Sequence, residues 1–268
     1  MRTRNVVAVL FVLIAALGAS GAARAFDPLP GETPAQVFLR GYQAYQAGDL
    51  ETAAAAIEYA AAQGYTRARW MLGQMYAQGV GFPRNDERAF EIFASIANDH
   101  SGDNPVGEDA PFIANALVAL GDYFRSGLLG ESEADGSGVE RARQLYWHAA
   151  TYFADPDAQY NLAQMFEGGE LGPPDPLQAV RWARMSAETG NPSAQALLGY
   201  LLFEGDGVER EPVVGLAYLQ IARVRTNGQD SDIRRMHEEA FALATETERR
   251  TAVALAEQWL SANETGAP

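Results

Sequence analysis

The sequence predicts an all-α fold, a right-handed α-solenoid of stacked helical hairpins with almost no β-strand. The first observation is a phrase, Ala-x-x-x-Leu-(Gly/Ala)-x-x-(Tyr/Phe/Leu)-x-x-Gly, that occurs four times and begins at Ala68, Ala116, Ala158 and Ala194. The second is a further phrase that follows each copy after a loop and is rich in small residues. Repeats of this length indicate supersecondary units that bury their apolar faces by stacking, and such arrays usually present a surface to a partner.

The first 25 residues predict a secretory signal peptide, which would place the mature protein in the periplasm. Arg2 and Arg4 form a basic start, residues 6–17 are apolar, and residues 23–25 (Ala-Arg-Ala) fit a cleavage site between small residues. The apolar run is too short for a membrane span, which requires roughly 20 residues. We therefore expect cleavage after residue 25 and no membrane insertion afterwards; an uncleaved anchor is the alternative.

Helices are predicted along the remainder of the chain, about twelve in all. Residues 26–36 are an N-terminal linker, and residues 37–66 are a short hairpin with a tight turn at Gly48. Four repeats fill residues 67–229, capping helices fill residues 230–262, and a tail completes the chain. In each repeat, the second helix is predicted to open at a small residue. These residues are Ala89, Ala142, Ala179 and Gly215.

Glycines and insertions define the geometry expected within the repeats. Gly73 and Gly121 lie at the fifth position after the opening alanine, where the lack of a side chain allows a neighbouring helix to approach closely. The last glycine of each phrase is expected to end its helix in the left-handed conformation. Residues 98–111 and 128–139 are acidic and rich in Gly, Pro or Ser, which predicts exposed, mobile loops.

Composition argues against several function classes. The chain has no cysteine, which excludes disulfides and lipid attachment through a cysteine. Its formal net charge is −15, and it becomes −18 once the three arginines of residues 1–25 are removed. Such a chain repels nucleic acid and anionic lipid headgroups. His100, His148 and His237 share no zinc-ligand spacing, and no phosphate-binding glycine loop is present. The sequence predicts no catalysis, no metal and no cofactor.

A protein-binding surface is the remaining candidate site. Positions 2, 6 and 9 of each first phrase lie opposite its packing face, and first helices of stacked hairpins line the concave side of a solenoid. The aromatic candidates could bind a partner or pack between adjacent repeats, whereas the groove interpretation is favoured for the glutamines. The partner-binding candidates are Trp70, Gln74, Asp122, Tyr160, Gln164 and Tyr200.

The two phrases resemble the Sel1-like repeat, a variant of the tetratricopeptide repeat, and the hairpin at 37–66 resembles an ordinary tetratricopeptide unit. A wider resemblance, to the ExoR family of periplasmic regulators, rests on several stretches. These include Ala-Phe-Asp-Pro at 25–28, Gly-Tyr-Gln-Ala-Tyr-Gln-Ala-Gly at 41–48, Arg-Ala-Arg-Gln-Leu-Tyr at 141–146 and Glu-Ala-Phe-x-Leu-Ala-Thr at 239–245.

This resemblance implies a negative regulator that binds the periplasmic sensing domain of an ExoS-type histidine kinase. Binding would repress two-component signalling that controls exopolysaccharide synthesis and motility, and a periplasmic protease would remove the regulator. We also expect acidification to weaken kinase binding or to expose the two insertions to proteolysis. A periplasmic scaffold for envelope or polysaccharide assembly proteins is the alternative. An enzyme acting on β-lactams is a third possibility, which the absence of cysteine disfavours.

Overall fold

The computed structural model describes residues 26–99, 104–128 and 136–264. Over these residues the chain forms twelve α-helices and no β-strand, which confirms the predicted all-α class. The predicted signal peptide lies outside the described residues. The helices are α1 (Pro34–Gln46), α2 (Leu50–Ala62), α3 (Thr66–Gln78), α4 (Asp86–Asp99), α5 (Ala110–Ser126), α6 (Ser137–Tyr152), α7 (Pro156–Glu167), α8 (Pro176–Glu188), α9 (Pro192–Glu204), α10 (Pro212–Arg225), α11 (Ser231–Leu243) and α12 (Glu246–Glu264).

Helices that are adjacent in the chain form most of the packing contacts, and this produces a solenoid. The hairpins α1–α2, α3–α4, α5–α6, α7–α8 and α9–α10 stack in chain order. Both α11 and α12 then pack against α10 and close the C-terminal end. None of the described helices combines the length and the apolar character needed to cross a membrane.

The second helices of the repeats begin earlier than the sequence analysis predicted. They start three to five residues before Ala89, Ala142, Ala179 and Gly215, so the prediction that these small residues open the helices is wrong. The starts are set by residues that suit a first turn, such as Pro176, whose preceding Asp175 caps the helix by accepting from the Gln178 N–H. Residues 137–139, predicted as loop, also belong to α6, which begins without a side-chain cap.

Small residues inside the hairpins allow the close helix contacts that the repeats predict. A β-carbon placed on Gly73 would lie 2.4 Å from Cε1 of Phe93, and one placed on Gly121 would lie 2.4 Å from Cε1 of Tyr146. Both distances are far below van der Waals contact, so an aromatic ring of the second helix occupies the space that a side chain would need. The predicted position of these glycines at a helix–helix contact is confirmed.

Segment 26–33 is a folded part of the first hairpin. The Arg40 guanidinium lies 4.6 Å from the centre of the Phe26 ring, and it forms an ion pair with Glu32 at 2.8 Å. The Phe26 ring also lies 5.6 Å from the ring of Tyr59. Helix α1 begins at Pro34, three residues before the predicted start, because the Thr33 side chain caps it.

The four tryptophans are distributed along the solenoid. Trp70 of α3 packs on Phe93 of α4, with 5.2 Å between ring centres. Trp147 of α6 and Trp182 of α8 meet edge to face at 5.2 Å and link two successive hairpins. Trp259 of α12 lies under the Arg225 guanidinium at 5.5 Å. Each tryptophan therefore belongs to a helix–helix contact.

Candidate functional site

Two grooves lie along the first helices of successive hairpins. The α3–α5 groove, lined chiefly by α3, α4 and α5, has a volume of about 380 Å³ and contains Gln74 and Asp122. The α7–α9 groove, lined by α5, α7, α9 and α11, has a volume of about 790 Å³ and contains Tyr160, Gln164 and Tyr200. Five of the six residues selected from the sequence therefore line a groove.

The sixth candidate, Trp70, has a different environment. It is half-buried and lies against the Phe93 ring, within the packing between α3 and α4. It lines neither the α3–α5 groove nor the α7–α9 groove. Its contacts match the packing interpretation that the sequence left open for the aromatic candidates.

Asp122 is held at the edge of the α3–α5 groove by the neighbouring helices. Its Oδ1 accepts a hydrogen bond of 2.6 Å from the Tyr146 hydroxyl of α6 and a longer one of 3.4 Å from Nδ2 of Asn161 in α7. The residue is exposed overall, yet the surrounding protein desolvates the carboxyl group and raises the pKa of Asp122. The hydrogen bond from Tyr146 offsets this only in part.

A second carboxylate organises the opposite wall of the α3–α5 groove. Asp86 of α4 accepts a hydrogen bond of 3.2 Å from the Tyr123 hydroxyl and one of 3.0 Å from Nε of Arg84. Burial, together with the negative charge of Asp86, raises the pKa of Tyr123 to about 12, so this hydroxyl stays a donor at neutral pH.

Arg125 of α5 lines the α7–α9 groove and links the α5–α6 hairpin to the α7–α8 hairpin. Its guanidinium forms hydrogen bonds of 3.0 and 2.5 Å to the two carboxylate oxygens of Glu170 and donates to Oε1 of Gln164 at 3.2 Å. Gln164 in turn donates to the Tyr160 hydroxyl at 2.8 Å. The Gln164 amide is therefore engaged inside the protein, and it positions Tyr160 in the groove.

Arg125 and the residues of α11 were not among the candidates selected from the sequence. Arg125 occupies position 9 in the second copy of the first phrase, where the other copies have Ala, Glu and Phe. One charged residue at a variable position was therefore the only sequence feature that could have indicated it. Helix α11 contributes Arg235, Met236 and Glu239 to the wall of the α7–α9 groove. These three residues lie outside the repeated phrases, so no comparison between repeats could have identified them.

The arrangement is suited to binding a peptide segment. The α7–α9 groove combines two tyrosines and the apolar side chains of Leu197 and Met236 with a rim of charged residues. Aromatic and apolar groups within a polar rim are typical of protein interfaces. Among the described residues, no group of three or more His, Asp or Glu side chains is arranged to hold a metal ion.

Comparison with known proteins identifies the family. The Sel1 repeat matches residues 66–99, 156–191 and 192–223, which coincide closely with the hairpins α3–α4, α7–α8 and α9–α10. An exopolysaccharide production negative regulator of Rhizobium leguminosarum bv. viciae is 39% identical over 245 residues, covering 90% of this chain and 89% of the relative. The chain belongs to this family of negative regulators. The protein of the same description from Rhizobium meliloti (strain 1021) is 37% identical, over 89% of this chain and 88% of its own length.

Solved structures share the architecture. A protective antigen of uropathogenic Escherichia coli strains, with an SLR fold, superposes with a TM-score of 0.68 at 24% identity, covering 85% of this chain and 46% of the antigen. A Sel1 repeat protein from Oxalobacter formigenes superposes with a TM-score of 0.63 at 20% identity, covering 84% and 88% of the two chains. At these identities the likeness establishes the solenoid fold and nothing about partners.

Proposed function

We propose that this protein is a periplasmic negative regulator of exopolysaccharide production that acts by binding a protein partner, without catalysis. The observation that carries the proposal is the near full-length similarity, at 37 to 39% identity, to two proteins described as negative regulators of that process. A solenoid of stacked hairpins supports it, because such folds act by presenting an extended surface to other proteins.

The partner in this proposal is the periplasmic sensing domain of an ExoS-type histidine kinase. Binding of the regulator to this domain represses the two-component signalling that controls exopolysaccharide synthesis and motility. The α3–α5 and α7–α9 grooves are the proposed contact surface, because they place Gln74, Asp122, Tyr160 and Tyr200 along the first helices of successive hairpins. Removal of the regulator by a periplasmic protease would relieve the repression.

Deletion of the gene tests the proposal. The deletion strain is expected to overproduce exopolysaccharide and to swim less, and a second deletion of the kinase gene is expected to restore both properties. A scaffold for polysaccharide assembly proteins gives a different result, because exopolysaccharide output would fall on deletion and would not depend on the kinase. Unchanged exopolysaccharide output would contradict both.

A binding measurement between the purified protein and the kinase sensing domain tests the same proposal in vitro. The chain from Phe26 to Pro268 is titrated with the purified sensing domain, and a Tyr160→Ala/Tyr200→Ala double variant serves as the groove variant. We expect the double variant to lose at least tenfold in affinity, and the binding is measured well below its unfolding midpoint because Tyr160 also packs against the hydrophobic core. Equal affinities of the parent and the variant would remove the α7–α9 groove from the contact surface.

A further inference from the structure

We propose that the α7–α9 groove recognises a segment of its partner in which an arginine or lysine lies next to an apolar side chain. The inference rests on the proposed function only in taking the occupant to be a protein. It is carried by the one carboxylate that remains unpaired in the groove and by the aromatic and apolar groups beside it.

Both arginines that line the α7–α9 groove are engaged within the protein. Arg125 forms two hydrogen bonds to Glu170 and one to Gln164. Arg235 forms ion pairs with Asp232 at 3.7 Å and Glu239 at 3.3 Å on its own helix. Neither guanidinium is therefore available to an acidic ligand without giving up partners that it already has.

One carboxylate of the groove remains without a cation. Glu167 is exposed at the end of α7 and forms no ion pair within the described parts of the chain. The groove is lined by three carboxylates, Glu167, Glu170 and Glu239, and by two arginines, so its net negative charge favours a cation. Burial raises the pKa of Tyr160; Arg125 lowers it, and Asp230, Asp232 and Glu167 raise it.

The neutral groups of the groove suit the rest of such a segment. Tyr200 is 42% exposed, so its ring is accessible, and Tyr160 is held in place by Gln164. A guanidinium or ammonium group is attracted to the face of an accessible tyrosine ring, and an ion pair with Glu167 adds to this attraction. Leu197 and Met236 offer an apolar contact for the neighbouring side chain.

The test uses the chain from Phe26 to Pro268 and three pools of nine-residue peptides. Each pool has Arg, Gln or Glu fixed at the centre, with the flanking positions randomised over Leu, Phe, Tyr, Ala and Ser. Binding of each pool is measured by fluorescence anisotropy at low and at physiological salt. The groove variants are Glu167→Gln and Tyr200→Ala, and Glu209→Gln, an exposed carboxylate outside the groove, is the matched control.

The Arg pool is expected to bind at least tenfold more tightly than the Glu pool and more tightly than the Gln pool. Glu167→Gln and Tyr200→Ala should each weaken it by about threefold to tenfold, whereas Glu209→Gln should leave it unchanged. The inference is overturned if the Arg pool does not bind, if the Glu or Gln pool binds equally well, or if neither groove variant weakens binding.

Titration with the kinase sensing domain separates this inference from the proposed function. If the sensing domain binds the parent chain and the peptide pools show no preference for Arg, the regulator function stands and the groove inference fails. If the Arg pool binds in the groove and the sensing domain does not bind, the choice of kinase fails and the groove inference stands.

Discussion

At the scale of single residues, His237 is a buried group whose protonation links folding to pH. It is 8% exposed, its ring stacks on Phe241 at 5.5 Å, and its Nε2 has no hydrogen-bond partner among the described residues. Burial, reinforced by the positive charge of Arg223 on α10, lowers the pKa of His237 to about 4. The Arg249 guanidinium lies over the other aromatic ring of this cluster, Phe241.

We predict that the protein loses stability on acidification through His237. The unfolded chain takes up a proton near pH 6.5, whereas the folded chain does so only near pH 4. The stabilising contribution is therefore complete above pH 6.5 and is lost as the pH falls toward 4, by about 2 kcal/mol between pH 7.5 and pH 5. Urea unfolding at the two pH values measures this loss.

The matched variants for this prediction are His237→Gln and His148→Gln. The first should reduce the difference in unfolding free energy between pH 7.5 and pH 5 by most of the 2 kcal/mol expected from linkage. The second, in α6, serves as the control and should keep the difference of the parent. An unchanged pH dependence in His237→Gln would show that the acid response arises elsewhere.

Gly121 provides a second prediction at the residue scale. In Gly121→Ala the new β-carbon would lie 2.4 Å from Cε1 of Tyr146, a fully buried ring whose hydroxyl is already bonded to Asp122. The helices must shift, so we expect a loss of about 1–3 kcal/mol in unfolding free energy, measured by urea denaturation. Gly168→Ala, at a helix end with ordinary backbone angles, is the control and should change little. Equal midpoints for Gly121→Ala and the parent would contradict the packing described.

At the scale of helices, a side chain at one position of the repeat fastens each of several hairpins to the preceding one by a hydrogen bond. The residue directly after the opening alanine donates to a carbonyl oxygen near the end of the previous hairpin. Gln195 reaches the Ala187 carbonyl at 3.1 Å, and Gln159 reaches the Ala150 carbonyl at 3.3 Å. Arg69 makes the equivalent, longer contact to the Ala61 carbonyl at 3.5 Å. In the remaining repeat the position is Leu117, after the insertion.

We predict that Gln195→Leu destabilises the protein by about 0.5–1.5 kcal/mol, the net contribution of one hydrogen bond. The substitution removes the Gln195 amide donor from the Ala187 carbonyl, which still accepts from the Gly190 N–H at 3.0 Å. The loss is expected toward the lower end, because Oε1 of Gln195 is itself buried without a partner. Thermal unfolding compares Gln195→Leu with Gln258→Leu on the exposed surface of α12; similar midpoints would argue against the fastening role.

These contacts show why the sequence predicts the helices well and their connections less well. The repeated alanines, leucines and glycines carry the helical period, and that period depends only on neighbours in the chain. The fastening position reads Arg, Leu, Gln and Gln, and its common role becomes visible only when the end of the previous hairpin lies beside it. Three of the second helices begin earlier because residues that suit a first turn precede the small residue: the Asn85 side chain accepts from the Arg88 N–H in α4, and α8 and α10 begin with a proline.

The grooves, like the helices, have features that the sequence period predicts and features that it does not. Position 6 of the phrase lines a groove in all four copies, and helical geometry alone determines that this position points away from the packing face. The α7–α9 groove also requires the pair between Arg125 and Glu170, which lie 45 positions apart, and a wall from α11. Neither follows from the period of a repeat.

At the scale of the whole molecule, α11 and α12 cover an apolar end that the repeats cannot bury. Phe203, Leu216 and Leu219 belong to a second hydrophobic cluster that includes Ile233 of α11 and Ala256 of α12. Terminal elements of solenoids perform this role because every internal hairpin relies on a neighbour on each side. These contacts are the ones that a capping element would make, and the capping function of the C-terminal helices stays a prediction.

We predict that a chain ending at Gln229 is prone to association. Without α11 and α12 the cluster around Phe203 is exposed, and large apolar patches promote aggregation. Size-exclusion chromatography and binding of a hydrophobic dye should both report this change, and the α7–α9 groove should lose its wall. A chain ending at Glu264 is the control and should behave as the parent. A monomeric, dye-negative truncated chain would contradict the prediction.

Because the tryptophans are spread along the solenoid, their fluorescence can report local unfolding at different places in the array. Trp70 senses the third and fourth helices, the contact between Trp147 and Trp182 senses the junction of two central hairpins, and Trp259 senses the C-terminal cap. Chains that retain one of these fluorophores, with phenylalanine at the others, would emit from a known place along the array. Their separate unfolding curves would reveal which end of the molecule melts first, without any attached dye.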